Sequence, residues 1–330
     1  MPTAAPVNIL FTAAGRRVSL VRLFRRALDS LGLEGRLVTA DLTTTAPAHY
    51  VADEREIIPR CTSSDYIPAL LDICRRRDIR LLVPLIDTEL MVLARHRDAF
   101  AEAGVKVMVS HAETIAIGND KRQTAVFFEH IGMPTPRVLT AAEVERLTAS
   151  DLPVFAKPWD GSSSVGARKI TTLDEARRLS SEDGKLMVML LASGDEVTVD
   201  VYADFAGTPR CAVPRRRLEV RAGEVSKALT LRDPEIIARS LEIVRQLPGA
   251  LGCITLQCFR EPSGRLTFIE INPRFGGGYP LAAHAGADYP RWMLEELTGR
   301  TPDFEAGSHW KNNLCMLRFD EELILDGGLL

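Results

Sequence analysis

Cysteine is sparse in this chain of 330 residues, and its six thiols, at positions 61, 74, 211, 253, 258 and 315, include no Cys-x-x-Cys pair. That spacing argues against a zinc site or a disulfide frame and for reduced, structural thiols. Long apolar runs are missing as well: none reaches the roughly 20 residues that a membrane span requires. The opening Met1-Pro2-Thr3-Ala4-Ala5-Pro6 has neither the basic nor the apolar region of a secretory signal, so a cytoplasmic protein is expected. No sign of charge dominates. Lys and Arg number 41 against 44 Asp and Glu, a net charge of −3, which leaves no electrostatic footprint for nucleic acid beyond the local cluster Arg215-Arg216-Arg217. The chain holds no internal repeat, no low-complexity tract, no G-x-G-x-x-G fingerprint and no Walker A motif.

What is present is an ordinary globular composition, 46% hydrophobic and 26% charged, in a chain long enough for two or three cored domains. Residues 7–117 alternate short apolar strands (7–12, 36–40, 80–84 and 105–109) with amphipathic helices (18–31, 66–77 and 90–103). That alternation predicts an α/β domain with a parallel sheet covered on both faces. Ligands of such sheets sit at the carboxyl ends of the strands, which here carry Ala13-Ala14-Gly15-Arg16-Arg17, Asp41 and Asp87-Thr88-Glu89. A helix over 121–131 follows, and Gly132-Met133-Pro134-Thr135-Pro136 then marks a boundary. Beyond it the pattern changes to α+β, with antiparallel strands expected at 154–157, 167–170, 196–204 and 209–220.

The most informative stretch is Phe268-Ile269-Glu270-Ile271-Asn272-Pro273-Arg274-Phe275-Gly276-Gly277-Gly278. Side chains two apart on a strand share a face, so Glu270, Asn272 and Arg274 are expected to point together. Oxygen ligands of this kind suit Mg²⁺, and an adjacent arginine suits phosphoryl oxygens. A preceding strand over 252–259 returns through Glu261-Pro262-Ser263-Gly264, which would set Gln257 alongside Glu270 as another oxygen donor. Upstream, Lys157 closes a strand, and Gly161, Ser162, Ser163, Ser164 and Gly166 follow in a loop whose backbone N–H groups and hydroxyls would approach phosphate oxygens. Lys121 opens its helix behind Asn119 and Asp120.

The order of two lysines, a Gly-rich loop and an acidic metal strand resembles the ATP-grasp superfamily, in its carbamoyl-phosphate-synthase-like branch, which includes the pyrrolysine-biosynthesis ligase. The likeness runs from about Ile9 to Arg300. It implies an N-terminal pre-ATP-grasp domain (1–117), a central subdomain with the lid (118–185) and a C-terminal subdomain with the metal (186–330). By the resemblance, Lys121 and Lys157 would contact ATP phosphates, Gly161 to Gly166 would be the lid, and Glu196 would bind ribose hydroxyls. Gln257, Glu270 and Asn272 would hold Mg²⁺ or Mn²⁺, and Arg274 would bind phosphate and, with Lys157, serve the chemistry. Two departures stand out. Leu190 takes the place where relatives generally have an acid in the adenine hinge, leaving adenine to backbone groups. Gln257 is neutral where several branches have an acid, so Glu270 carries most of the ligand charge.

The activity implied is carboxylate–amine ligation through an acyl phosphate, with a small carboxylate and an amine, both amino-acid-like, as partners. It involves no nucleic acid or membrane, and a homodimer is compatible with it. One ATP-grasp unit without an amidotransferase partner excludes carbamoyl phosphate synthesis. A synthetase or kinase with a non-amine nucleophile and an ATP-binding regulator without turnover are the rival readings. For a second substrate, Arg215 and Arg217 share a strand face and would clamp a carboxylate, or else they keep an edge strand soluble. Asp87 and Glu89 would hold an amine, or cap the helix that begins near Thr88. Gly15, Arg16 and Arg17 resemble the family's glycine-rich first loop. His284 and Lys227 lie near site segments in sequence, with a bland role the default for each.

Overall fold

The strands β1 (Asn8–Thr12), β2 (Leu37–Asp41), β3 (Glu54–Ile57), β4 (Ile79–Pro84) and β5 (Lys106–Val107) form a 5-stranded parallel sheet in the order β3-β2-β1-β4-β5. They belong to a computed structural model that describes residues 5–160, 166–181, 185–221 and 223–329. The period of two on β1 sends Ile9 and Phe11 into one core cluster and Leu10 into another, so the sheet is covered on both faces, as its apolar runs require. The helix Val18–Leu31 buries Leu20, Val21, Leu23, Phe24, Ala27 and Leu28 at helical spacing, and Gly32 ends it in the left-handed conformation.

Some expected elements shift. The single helix expected over 90–103 is two, Asp87–Arg95 and Arg97–Glu102, broken at His96. There the imidazole Nδ1 takes the Val92 carbonyl at 2.7 Å, a local bond that competes with the helical one. The segment 105–109 pairs only over Lys106–Val107. Strand β3, with its run Glu54-Arg55-Glu56, forms the charged edge of the sheet, where such residues keep an unpaired edge soluble.

A second, 4-stranded antiparallel sheet, in the order β6-β9-β7-β8, is made by β6 (Val138–Leu139), β7 (Val154–Pro158), β8 (Arg168–Ile170) and β9 (Leu186–Leu190). Val154, Ala156, Ile170 and Val188 close a small core under it with Val144 and Ala176 of the helices Ala141–Glu145 and Leu173–Ser181.

The largest sheet has six antiparallel strands: β10 (Asp195–Ala203), β11 (Pro209–Arg221), β12 (Glu224–Thr230), β13 (Gly252–Arg260), β14 (Leu266–Asn272) and β15 (Cys315–Leu317), in the order β14-β13-β10-β11-β12-β15. On β10, Val197, Val199, Val201 and Ala203 enter a core shared with the helices Lys121–His130 and Pro234–Gln246. The intervening Glu196, Thr198 and Asp200 therefore face the opposite side, where the site lies. Further along that side, Tyr202 and Cys253 join the cluster that holds Phe24 of the N-terminal domain, Tyr279 and Trp292. The parallel sheet and the large antiparallel sheet thus share a core, and side chains of both reach one set of cavities. Among the described residues no helix is long and apolar enough to cross a membrane.

Candidate functional site

Strand β13 pairs β14 with Gln257 opposite Glu270 and Thr255 opposite Asn272, so the hairpin brings the expected oxygen donors side by side. The register shifts between Gln257 and Cys258, a bulge of the kind that re-aims side chains beside ligand sites. Gln257, Glu270 and Asn272 are all partly exposed.

One cavity, of about 250 Å³, opens between the 4-stranded sheet and this hairpin. Its walls are apolar at one end, from Phe155, Met189, Leu190, Leu191 and Phe259, and polar at the other, from Lys121, Lys157, Glu196, Gln257 and Glu270. Lys121 is the first residue of its helix, whose N-terminus is capped by the Asp120 side chain accepting from Arg122 N at 2.9 Å. Lys157 is 9% exposed, and its Nζ donates to the Ile269 carbonyl at 3.4 Å. Burial pulls its amine down from the ordinary 10.5 to about 8; the charge of Glu270 opposes the shift and that of Lys121 adds to it. Desolvation outweighs the attraction of Glu270, so further negative charge in this cavity would favour the charged amine. Leu190, at the end of β9, donates its backbone N–H to the Arg137 carbonyl at 3.0 Å and contributes an apolar side chain to the cavity.

A second cavity, of about 140 Å³, lies beside the first on the same face of the large sheet. Arg17, Arg215, Arg217, Glu224, Asn272, Arg274 and the backbone of Gly276 to Gly278 line it, and Gln257 and Glu270 line it too. The two oxygen donors thus stand in the wall common to both spaces. A third cavity, of about 220 Å³, continues from the second through Arg17, Glu224, Gly276 and Gly277 to Gly15, Arg16, Ile86 and Arg318. Gly15 sits there with φ +45° and donates its N–H to Asp41 Oδ2 at 2.8 Å, a backbone turn that favours glycine.

The arginines are held by carboxylates. Arg274 donates from Nη2 to Asp87 at 2.6 Å and from Nη1 to its neighbour's carbonyl at 3.1 Å. Burial opposes its charge, and Asp87 and Glu270 outweigh that, so its pKa is raised. Arg215 is buried and bonds Asp200 through Nε at 2.6 Å and Nη2 at 3.1 Å. Arg217 pairs with Glu196, which also lines the lysine-side cavity.

Two expectations need correction. Glu89 is fully buried, and its carboxylate is spent on the backbone N–H groups of Leu85 and Ile86 (2.9 and 3.2 Å) and on the Tyr66 hydroxyl (2.5 Å). Burial raises its pKa; it caps the helix Asp87–Arg95 and holds no substrate amine. Strand β11 is not an edge, since β10 and β12 flank it, so Arg215 and Arg217 are not there to keep an edge soluble. Lys227 bonds Glu219 at 2.6 Å and His284 is exposed on the helix Tyr279–Ala285; neither lines the first two cavities. Gly161, Ser162, Ser163 and Ser164 lie outside the described residues, while Gly166 beside them has φ +76°. Sequence reasoning passed over Thr198 and Asp200, which the alternation on β10 places on the face of Glu196, and Glu224, on a strand that carries no clear pattern.

The donor set fits a hard divalent cation. Glu270 is a carboxylate, and Gln257 and Asn272 offer amide oxygens, the hard donors that suit such a cation. One carboxylate with two neutral oxygens leaves room for phosphate oxygens and water, which is how Mg²⁺ is usually held.

Comparison with known proteins gives the same architecture. Residues 9–108 match the family model described as PylC-like, N-terminal domain, and residues 182–317 match the one described as ATP-grasp in the biosynthetic pathway with Ter operon. The chain is 26% identical over 221 residues to the carbamoyl phosphate synthase large chain of Acidobacterium capsulatum, covering 60% of this chain and 20% of that protein. It is 34% identical over 114 residues to D-alanine–D-alanine ligase B of Xanthomonas campestris pv. campestris, covering 31% and 36%. Among solved structures, the biotin carboxylase–beta-gamma-ATP complex from Campylobacter jejuni superposes with a TM-score of 0.71 at 17% identity, over 93% of this chain and 74% of that one. The chain spans between 20% and 41% of the length of the carbamoyl phosphate synthases it matches.

Proposed function

We propose that this chain, which belongs to the ATP-grasp superfamily, is an ADP-forming ligase that joins a small carboxylate to an amine. The observation that carries this reading is the place of Gln257 and Glu270, in the wall between a lysine-lined cavity and an arginine-lined one. ATP would lie in the first, with its base between Phe155, Leu190, Leu191 and Phe259, its ribose toward Glu196 and its phosphates toward Lys121 and Lys157. The carboxylate would lie in the second. Gln257, Glu270 and Asn272 would hold Mg²⁺, or Mn²⁺ with the same oxygen ligands, which when bound neutralises phosphate charge.

The chain's own residues then position and neutralise. Lys157 gains negative charge that favours its charged amine, and Arg274, anchored by Asp87, faces the phosphoryl group from the second cavity. A carboxylate oxygen attacks the γ-phosphorus, the bond from that phosphorus to the β–γ bridging oxygen breaks, and ADP leaves with the bridging oxygen. The amine attacks the acyl carbon next. The C–O bond breaks, and phosphate departs with the oxygen that came from the carboxylate. No protein nucleophile is needed, and no cysteine lines either cavity among the described residues.

The test is product analysis of the purified protein with ATP, Mg²⁺ and pooled amino acids and small carboxylates. ADP, inorganic phosphate and a conjugate of the summed masses less water are expected. Release of AMP and pyrophosphate overturns the reading.

A further inference from the structure

Two of the three consecutive glycines after Arg274 each lie against the tip of one arginine. A methyl group on Gly277 would stand 2.9 Å from Nη1 of Arg17, and one on Gly278 would overlap Nη1 of Arg215. The guanidiniums come from different parts of the fold: Arg17 from the loop after β1, Arg215 from β11. Both line the cavity on the arginine side of Gln257 and Glu270.

Neither tip is spent. Arg215 uses Nε and Nη2 on Asp200, which is fully buried and also accepts from Thr255 Oγ1 at 3.2 Å, so the arginine's orientation is fixed from behind. Its Nη1 is buried with no hydrogen-bond partner. Arg17 faces Glu224, Asp87, Arg274 and Arg318; burial and then Arg274 lower its pKa, with Glu224 opposing, and Glu224 itself is shared with Arg318 at 3.0 Å. An unmet N–H and a crowded, partly buried cation at one glycine floor are costly in an empty protein. They are what a bound anion would relieve.

We propose that Arg17 and Arg215, set over the Gly277-Gly278 backbone, clamp a carboxylate of a small amino-acid-sized substrate, a group distinct from the carboxylate that attacks the γ-phosphorus in the same cavity. The inference rests on the ligase reading for the identity of the neighbouring cavity. Phosphate is served from the first cavity by Lys121 and Lys157, so the clamp is left for the second ligand. Arg217, which pairs with Glu196, is outside the clamp.

The decisive variant is Gly277→Ala. The backbone of Gly277 does not have a positive φ, and the nearest obstacle to a methyl group is the flexible end of Arg17, so the protein folds while Arg17 is pushed off the floor. Melting temperatures of wild type and variant are measured with L-amino acids and small carboxylates, with their carboxamides, and with ATP and Mg²⁺. Some free acids should stabilise the wild type and their carboxamides should not. Gly277→Ala and Arg17→Ala should weaken binding of those acids about tenfold or more, a loss of about 1.4 kcal/mol, and keep the shift given by ATP and Mg²⁺. The clamp is overturned if no free acid stabilises the wild type, if carboxamides do as well, or if the variants lose the nucleotide shift instead. Absence of any shift with ATP and Mg²⁺ in the wild type overturns the ligase reading, which is a separate result.

Discussion

Arg274 Nη2 lies 2.6 Å from Asp87 Oδ2, a bond that joins the segment after β14 to the first residue of a helix in the parallel-sheet domain. Its partners are 14% and 25% exposed, so the pair is only partly screened by water. The bond fixes the angle at which the guanidinium enters the arginine-side cavity.

Asp87→Asn should therefore lower stability by about 1–2 kcal/mol, less than a fully buried pair would lose, because the cation left behind still reaches water. Turnover should fall more steeply than this implies, with KM for ATP nearly unchanged, since neither Asp87 nor Arg274 lines the cavity proposed for the nucleotide. An intact kcat in a variant whose unfolding midpoint has dropped would show that the pair is structural only.

Lys157→Met should stabilise the nucleotide-free protein by on the order of 2 kcal/mol while abolishing its stabilisation by ATP. The cost of burying the amine outweighs the attraction of Glu270, and removing the charge removes that cost. The sign with pH follows. Between about 8 and the unfolded value of 10.5 the folded chain binds fewer protons than the unfolded chain, so wild-type stability rises with pH there. The advantage of the methionine variant should be full below pH 8 and shrink above it. Urea unfolding of both proteins on either side of pH 8 checks this, and a pH-independent difference would contradict it.

Much of this was legible locally. The helix Val18–Leu31 and the register that sets Gln257 opposite Glu270 follow from the spacing of apolar residues and from one turn. The helix Pro234–Gln246, which is not among the expected elements, also carries local signals in the cap Asp233 and the apolar positions 236, 243 and 244. Other features had no local signal. Strand β12 mixes Glu224, Ser226 and Lys227 with apolar residues and is a strand because β11 and β15 pair with it. The meeting of Arg17 with Gly277 joins residues 260 positions apart, and only the packing of two sheets on a shared core brings it about. Glu89 was ambiguous between a ligand and a cap because its three partners lie on separate elements or in the turn before its helix.

Glu270→Gln should reduce turnover by roughly 10²–10³ and leave the fold in place, because the proposed metal loses its one carboxylate while the amide keeps the side chain's shape. Raising the Mg²⁺ concentration should recover part of the rate, which a purely structural defect would not allow. Circular dichroism with steady-state ADP formation across a magnesium titration separates the two, and wild-type kinetics in the variant would remove the metal from this hairpin.

The oxygen bookkeeping gives the strictest test of the chemistry. If the carboxylate attacks the γ-phosphorus and the amine later expels phosphate, one carboxylate oxygen ends in the inorganic phosphate and the other stays in the amide. A substrate labelled with ¹⁸O in its carboxyl group should thus yield phosphate carrying one labelled oxygen and ADP carrying none. The geometry is compatible with this route, since Gln257 and Glu270 line both the lysine-side and the arginine-side cavity and no cysteine lines either among the described residues. Mass spectrometry of the released phosphate decides it. Unlabelled phosphate would mean that water, not the carboxylate, receives the phosphoryl group, and label in AMP would mean adenylation.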